Sequence, residues 1–138
     1  MFKKIATGTF LFLTLLCHTV QAQDRATPDP KIRALKVEFV TGRMSLTQQQ
    51  TQRFLPLYHR YSDELLFVKR KIKNLKNNAN SQYQVEERQN LEEKMVEIKG
   101  RYKDDFLKII TAQQLAAMYQ AEGEFKNVLL EHLKKNGK

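Results

Sequence analysis

The chain has 138 residues, 24 Lys and Arg against 15 Asp and Glu, and a formal net charge of +9. That length corresponds to one domain, and 28% charged with 41% apolar residues is a globular balance, not that of a disordered or membrane-spanning chain. Five Gly and three Pro supply too few turns for an all-β fold, which needs a turn signal every ~8–12 residues, and one Cys excludes a disulfide within the chain.

Residues 1–22 read as an address. Met1-Phe2-Lys3-Lys4 is a short basic start, Ile5 to Val20 carries no charged residue, and Val20-Gln21-Ala22 ends on small residues at −3 and −1. That is the layout of a secretory signal peptide cleaved after Ala22, so the protein is expected to be exported. An N-terminal membrane anchor is disfavoured because the apolar core is shorter than the ~20 residues of a span. A lipid anchor on Cys17 is disfavoured because Leu16 is bulky where a small residue is wanted. Cleavage leaves 116 residues without Cys, with 22 basic and 15 acidic side chains. Residues 23–29 form a polar leader, and 30–135 the helical domain.

Asp29 and Pro30 look like the N-cap and first residue of a short helix over 30–41. Ile32, Leu35, Phe39 and Val40 lie along it at helical spacing, and Gly42 serves as terminator. Thr47 and Gln50 then have the capping-box form, with Leu46 as a hydrophobic staple. Phe54, Tyr58, Tyr61, Leu65, Val68, Ile72 and Leu75 follow in alternating steps of four and three, a heptad seam running to about Asn77. Pro56 lies inside this helix and should bend it. Residues 77–81 are a polar turn.

A third helix over 81–109 carries Val85, Leu91, Met95, Ile98, Tyr102, Phe106 and Ile109, with Glu97/Arg101 and Asp104/Lys108 as i,i+4 pairs outside. Gly100 weakens it by ~1 kcal/mol of propensity. Ile110-Thr111-Ala112-Gln113-Gln114 repeats the earlier cap. A fourth helix runs on to about Lys134 with Leu115, Met118, Tyr119, Phe125, Leu129 and Leu133. The expectation is all-α: four helices, two of them long and antiparallel.

Leu46-Thr47-Gln48-Gln49-Gln50 and Ile110-Thr111-Ala112-Gln113-Gln114, behind an export signal in a small basic helical chain, resemble the LTxxQ-motif periplasmic proteins, the Spy/CpxP-like group. The second motif departs from the pattern by Ile for Leu. Phe54-Leu55-Pro56-Leu57-Tyr58 with Tyr61 is similar to the subgroup described as sensors of extracytoplasmic-function sigma factors or periplasmic heavy-metal sensors. The resemblance implies a curved helical hairpin, a cradle-like homodimer, and ATP-independent binding of unfolded or aggregation-prone envelope proteins. The alternative it carries is a signalling role: binding an envelope stress sensor, or metal detection.

The residues themselves argue against an enzyme. The mature segment holds no Cys, no phosphate-cradling glycine loop and no His-Glu-x-x-His. Adjacent carboxylates such as Glu86/Glu87 and Asp104/Asp105 lie about 100° apart on a helix and form a solvated face. No motif calls for a cofactor. Metal ligands reduce to His59 and His132, with Asp63 or Glu131 to complete a site.

The densest basic run is Lys69, Arg70, Lys71, Lys73 and Lys76. Residues 25–77 hold 12 basic and 4 acidic side chains, whereas 78–138 hold 10 of each. An exported chain has no nucleic acid to meet, so this lopsided charge suits acidic clients, a sensor domain or peripheral contact with an anionic membrane. Leu55, Leu57, Leu66, Phe67, Val96 and Met118 lie beside the seams, and those left uncovered mark an interaction surface.

Overall fold

A computed structural model describes residues 29–76 and 82–136. The expected export signal, the expected polar leader up to Thr27-Pro28 and the expected turn at 77–81 lie outside the described residues. Four helices and no strand make up the described part: α1 (Pro30–Gly42), α2 (Gln48–Lys76), α3 (Gln82–Leu107) and α4 (Ala112–Asn136). The fold is all-α, as the periodicity requires. The Asp29 carboxylate accepts from the Lys31 amide at 2.9 Å, with Pro30 opening α1.

Gly42 does not terminate α1 in a left-handed turn. The chain leaves through right-handed i→i+3 turns, Arg43 N–H to the Val40 carbonyl and Met44 N–H to that of Thr41, both 3.1 Å. Those turns bury Met44, and the positive φ falls on Ser45, at 50°. Pro56 lies within α2, and the helix runs on through it.

The hairpin of α2 and α3 is closed by aromatic rings. Phe54 stacks on Tyr58 at 5.2 Å and meets Phe106 at 5.5 Å. Tyr61 presents its edge to Tyr102 at 5.5 Å and to Phe106 at 5.3 Å. Partners of rising number on α2 have falling number on α3, so the helices are antiparallel. Edge-to-face pairs of this kind add about 0.5–1.5 kcal/mol each beyond area burial. On the outside, the expected Glu97/Arg101 and Asp104/Lys108 pairs do not form. Glu97 takes Lys94, Lys108 takes Asp105, and Arg101 reaches across to Glu64 at 2.6 Å. The Tyr102 hydroxyl also donates to Glu64, at 2.5 Å; that bond and the Arg101 charge hold the Glu64 carboxyl below its ordinary value.

The two Thr-x-x-Gln motifs meet face to face. Each is a complete capping box: Gln50 N–H donates to the Thr47 hydroxyl and Thr47 N–H to Gln50 Oε1, and Thr111 and Gln114 do the same. The two glutamine amides then bond each other reciprocally at 3.0 Å both ways. Each also donates to the backbone ahead of the other motif, Gln50 to the Ile109 carbonyl and Gln114 to that of Ser45. The result is a local two-fold repeat. It explains why α1 packs on α4 as α3 packs on α2.

This arrangement carries a prediction. Gln114→Ala removes a cap and both bonds that the Gln50 amide shares with Gln114, so it should cost about 1–3 kcal/mol in urea unfolding. Gln50→Ala should cost a similar amount. The double variant should fall short of the sum by about 1 kcal/mol; strict additivity would show that the amide pair contributes nothing.

Candidate functional site

One carboxylate of α4 reaches the aromatic cluster of the hairpin. Glu122 accepts from the Tyr58 hydroxyl at 3.0 Å and the Tyr61 hydroxyl at 3.1 Å, and pairs with Lys36 of α1 at 3.1 Å. The Lys36 ammonium also sits over the Tyr58 ring, 5.6 Å from its centroid. One acidic group thus ties α1, α2 and α4 together. Burial, and after it the Glu122 charge, pushes both tyrosine hydroxyls far above their ordinary value, so they remain donors to the carboxylate.

Beside this node a cleft of about 520 Å³ opens where α2, α3 and α4 meet. α2 contributes Leu65 and Lys69; α3 contributes Val96, Lys99 and Lys103. Tyr119 and Glu122 close it from α4, and Gly100 and Gly123 lie in its wall. Neither Lys69, Lys99 nor Lys103 has a carboxylate in ion-pair contact among the described residues, because the one acid at hand is taken by Lys36 and two tyrosines. Desolvation by the cleft walls, then the charges of Lys36 and Lys99, draws the Lys69 ammonium below its ordinary value. Three lysines thus face one carboxylate, Glu122, in the lining of the cleft.

The basic run expected to form one face is divided around α2. Lys69 enters the cleft, while Lys71 stands over the exposed Phe67 ring at 4.7 Å. Arg70 is half-buried and Lys73 is exposed; the Lys76 side chain lies outside the described residues. Successive helical residues are about 100° apart, so neighbours in sequence cannot share one surface. The cations grouped with Lys69 come instead from α3.

The other sequence candidates are placed as follows. Leu46 is half-buried against the core, whereas Thr47 and Thr111 are exposed. Ile110 is buried. His59 accepts from Arg33 Nε at 3.3 Å, and Arg33 also pairs with Asp63 at 3.1 Å, so both groups are turned to one guanidinium. His132 lines a separate apolar groove of about 490 Å³ between α1 and α4, with Phe39 and Phe125. Glu131 is exposed. The described residues contain no cluster of three or more His, Cys, Asp or Glu with the makings of a metal site.

The side chains beside the seams part company. Leu57 and Met118 are buried in the core, and Leu55 packs against it. Phe67 remains 56% exposed and Val96 70%. Val85, a seam position in sequence, is 69% exposed.

Sequence reasoning missed Glu122. Its signal was present: Leu115, Met118, Glu122, Phe125 and Leu129 follow steps of three and four, so a carboxylate occupies a seam position. Lys99 and Lys103 gave no such sign. Among the described residues no helix is long and apolar enough to cross a membrane. No protein-family model, no curated protein and no solved structure matches the chain.

Proposed function

We propose that the protein is an exported, ATP-independent binder of unfolded envelope polypeptides, a chaperone-like role in the response to envelope stress. The observation that carries this reading is the placing of large apolar side chains in solvent next to cations on both arms of the hairpin. Phe67 lies under Lys71 on α2, and Val96 lies beside Lys99 on α3. Exposed apolar groups rimmed by charge mark interaction surfaces, and such a surface is tolerant of sequence, as a client in many conformations requires. The double Thr-x-x-Gln motif and the export signal support the same reading.

The test is aggregation of a chemically denatured client followed by light scattering. Equimolar protein should slow it. Phe67→Ser/Val96→Ser should lose most of that protection while its Tm moves by less than about 4 °C, since both side chains are exposed. Failure to slow any client, or full protection by the double variant, would sink the reading.

The lysines without acidic partners favour a second reading, a regulator that binds one acidic envelope protein such as a stress sensor. It predicts a single saturable partner in pull-downs from envelope extract, and no general protection of clients.

A further inference from the structure

We propose that the cleft between α2, α3 and α4 is a binding site for a free fatty carboxylate, an anionic head on a single apolar chain. Three features of the cleft require both halves of that ligand. Lys69, Lys99 and Lys103 line the cleft from two helices without ion-pair contacts among the described residues, and the one carboxylate beside them, Glu122, is shared with Lys36 and two tyrosines and offsets only part of their charge. Bringing like charges together in a partly desolvated space is unfavourable until an anion joins them; burial first and the Lys36 charge second lower the Lys69 ammonium, with Lys99 a smaller contributor.

The apolar half is equally marked. Leu65, Val96 and Tyr119 line the cleft, and Val96 is 70% exposed. A volume of about 520 Å³ lies within the range of small-molecule sites. Gly100 and Gly123 each lie within a helix, where glycine is destabilising by roughly 0.5–1 kcal/mol relative to alanine. A Cβ at either position would meet nothing within 4 Å. Packing within the chain therefore does not require these glycines, whereas a ligand lying against the helix backbones would.

Three helices wall the cleft. That geometry suits a monomeric amphiphile entering it better than the flat headgroup layer of a bilayer. The proposal stands apart from the chaperone reading, because ligand affinity and client protection are separate measurements and either can fail alone.

The test is calorimetric titration of the purified protein with sodium decanoate below its micelle concentration, with amide NMR to locate the site. One decanoate should bind per chain with Kd below about 1 mM, shifting the Gly100 and Gly123 amides. Decyltrimethylammonium, the same chain with a cationic head, should bind at least about tenfold more weakly. Lys69→Gln/Lys99→Gln changes two exposed side chains and should weaken decanoate by about tenfold or more. Gly123→Leu keeps the helix and fills the space, and should abolish binding.

Several results would overturn the proposal: no saturable decanoate binding, equal affinity for the cationic amphiphile, or undiminished affinity in Gly123→Leu. Inorganic phosphate binding as tightly as decanoate would reduce the cleft to an anion patch and overturn it too. Binding to phosphatidylglycerol vesicles without binding to decanoate would overturn it in favour of membrane docking.

Discussion

Phe106→Ala should cost about 3–5 kcal/mol of folding stability, the range for deleting a fully buried aromatic side chain. Phe106 is wholly inaccessible, and its ring touches those of Phe54, Tyr61 and Tyr102. Phe54 and Tyr61 belong to α2, pinned elsewhere by the glutamine pair and by Glu122, and Tyr102 belongs to α3, tied to α2 through Glu64, so they cannot collapse into the space left behind. Against a total of about 5–15 kcal/mol for an ordinary domain, one such cavity removes a large share. Urea denaturation should show a much lower midpoint with an unchanged slope. The matched control is Val85→Ala on the same helix, where the side chain is 69% exposed and the expected change is within about 0.5 kcal/mol. A loss below about 1 kcal/mol for Phe106→Ala would mean that the ring cluster is not the core of the hairpin.

Alkaline pH should unfold the protein through Tyr58 and Tyr61. In the folded chain, burial first and the Glu122 carboxylate second hold both hydroxyls protonated far above the ordinary tyrosine value of about 10. The unfolded chain releases those protons near that ordinary value. Because the folded state then binds more protons, stability is fully present below about pH 10 and falls as pH rises beyond it. Each tyrosine contributes a loss of about 1.4 kcal/mol per pH unit, so the pair gives about 2.7. Urea midpoints measured from about pH 8 to about pH 11 should stay level and then drop steeply. Tyr58→Phe/Tyr61→Phe should be less stable at neutral pH, where Glu122 loses two donors, yet show a much shallower alkaline decline. An equally steep decline in the double variant would assign the effect to other groups, the raised hydroxyls of Tyr102 and Tyr119 foremost.

The same residues show how far sequence carries. The helices were legible because their signals are local. Apolar steps of three and four fix the buried stripe, and a threonine with a glutamine three residues later satisfies orphan amides within one turn. Thr47, Gln50, Thr111 and Gln114 therefore cap as expected. That the two glutamines would also bond each other was not legible, since 64 residues separate them and a cap motif carries no record of its partner. The expected Glu97/Arg101 pair on α3 failed for a related reason. Arg101 had Glu97 one turn away, but the antiparallel packing brought Glu64 within 2.6 Å, and bonds shared with Tyr102 favour that carboxylate.

The cleft shows the limit most clearly. A run of lysines in sequence reads as one basic face, yet a helix turns consecutive residues to different sides. Among the described side chains of that run only Lys69 lines the cleft, where its companions Lys99 and Lys103 belong to another helix. Seam periodicity placed Val85 inside and Met118 beside the core, and the structure reverses both. A periodic stripe states which residues share a face, not how far along its length another helix covers it.

By itself, then, the sequence determined the helical fold, the caps and the lopsided charge, all consequences of spacing within a turn or of composition. The crossing of α4 over the hairpin decided the rest: a carboxylate spent on two tyrosines and Lys36, three lysines left facing an apolar cleft, and Phe67 and Val96 left in water. Those depend on which surfaces meet at long range. Burial and charge pairing are properties of that meeting, not of any one helix.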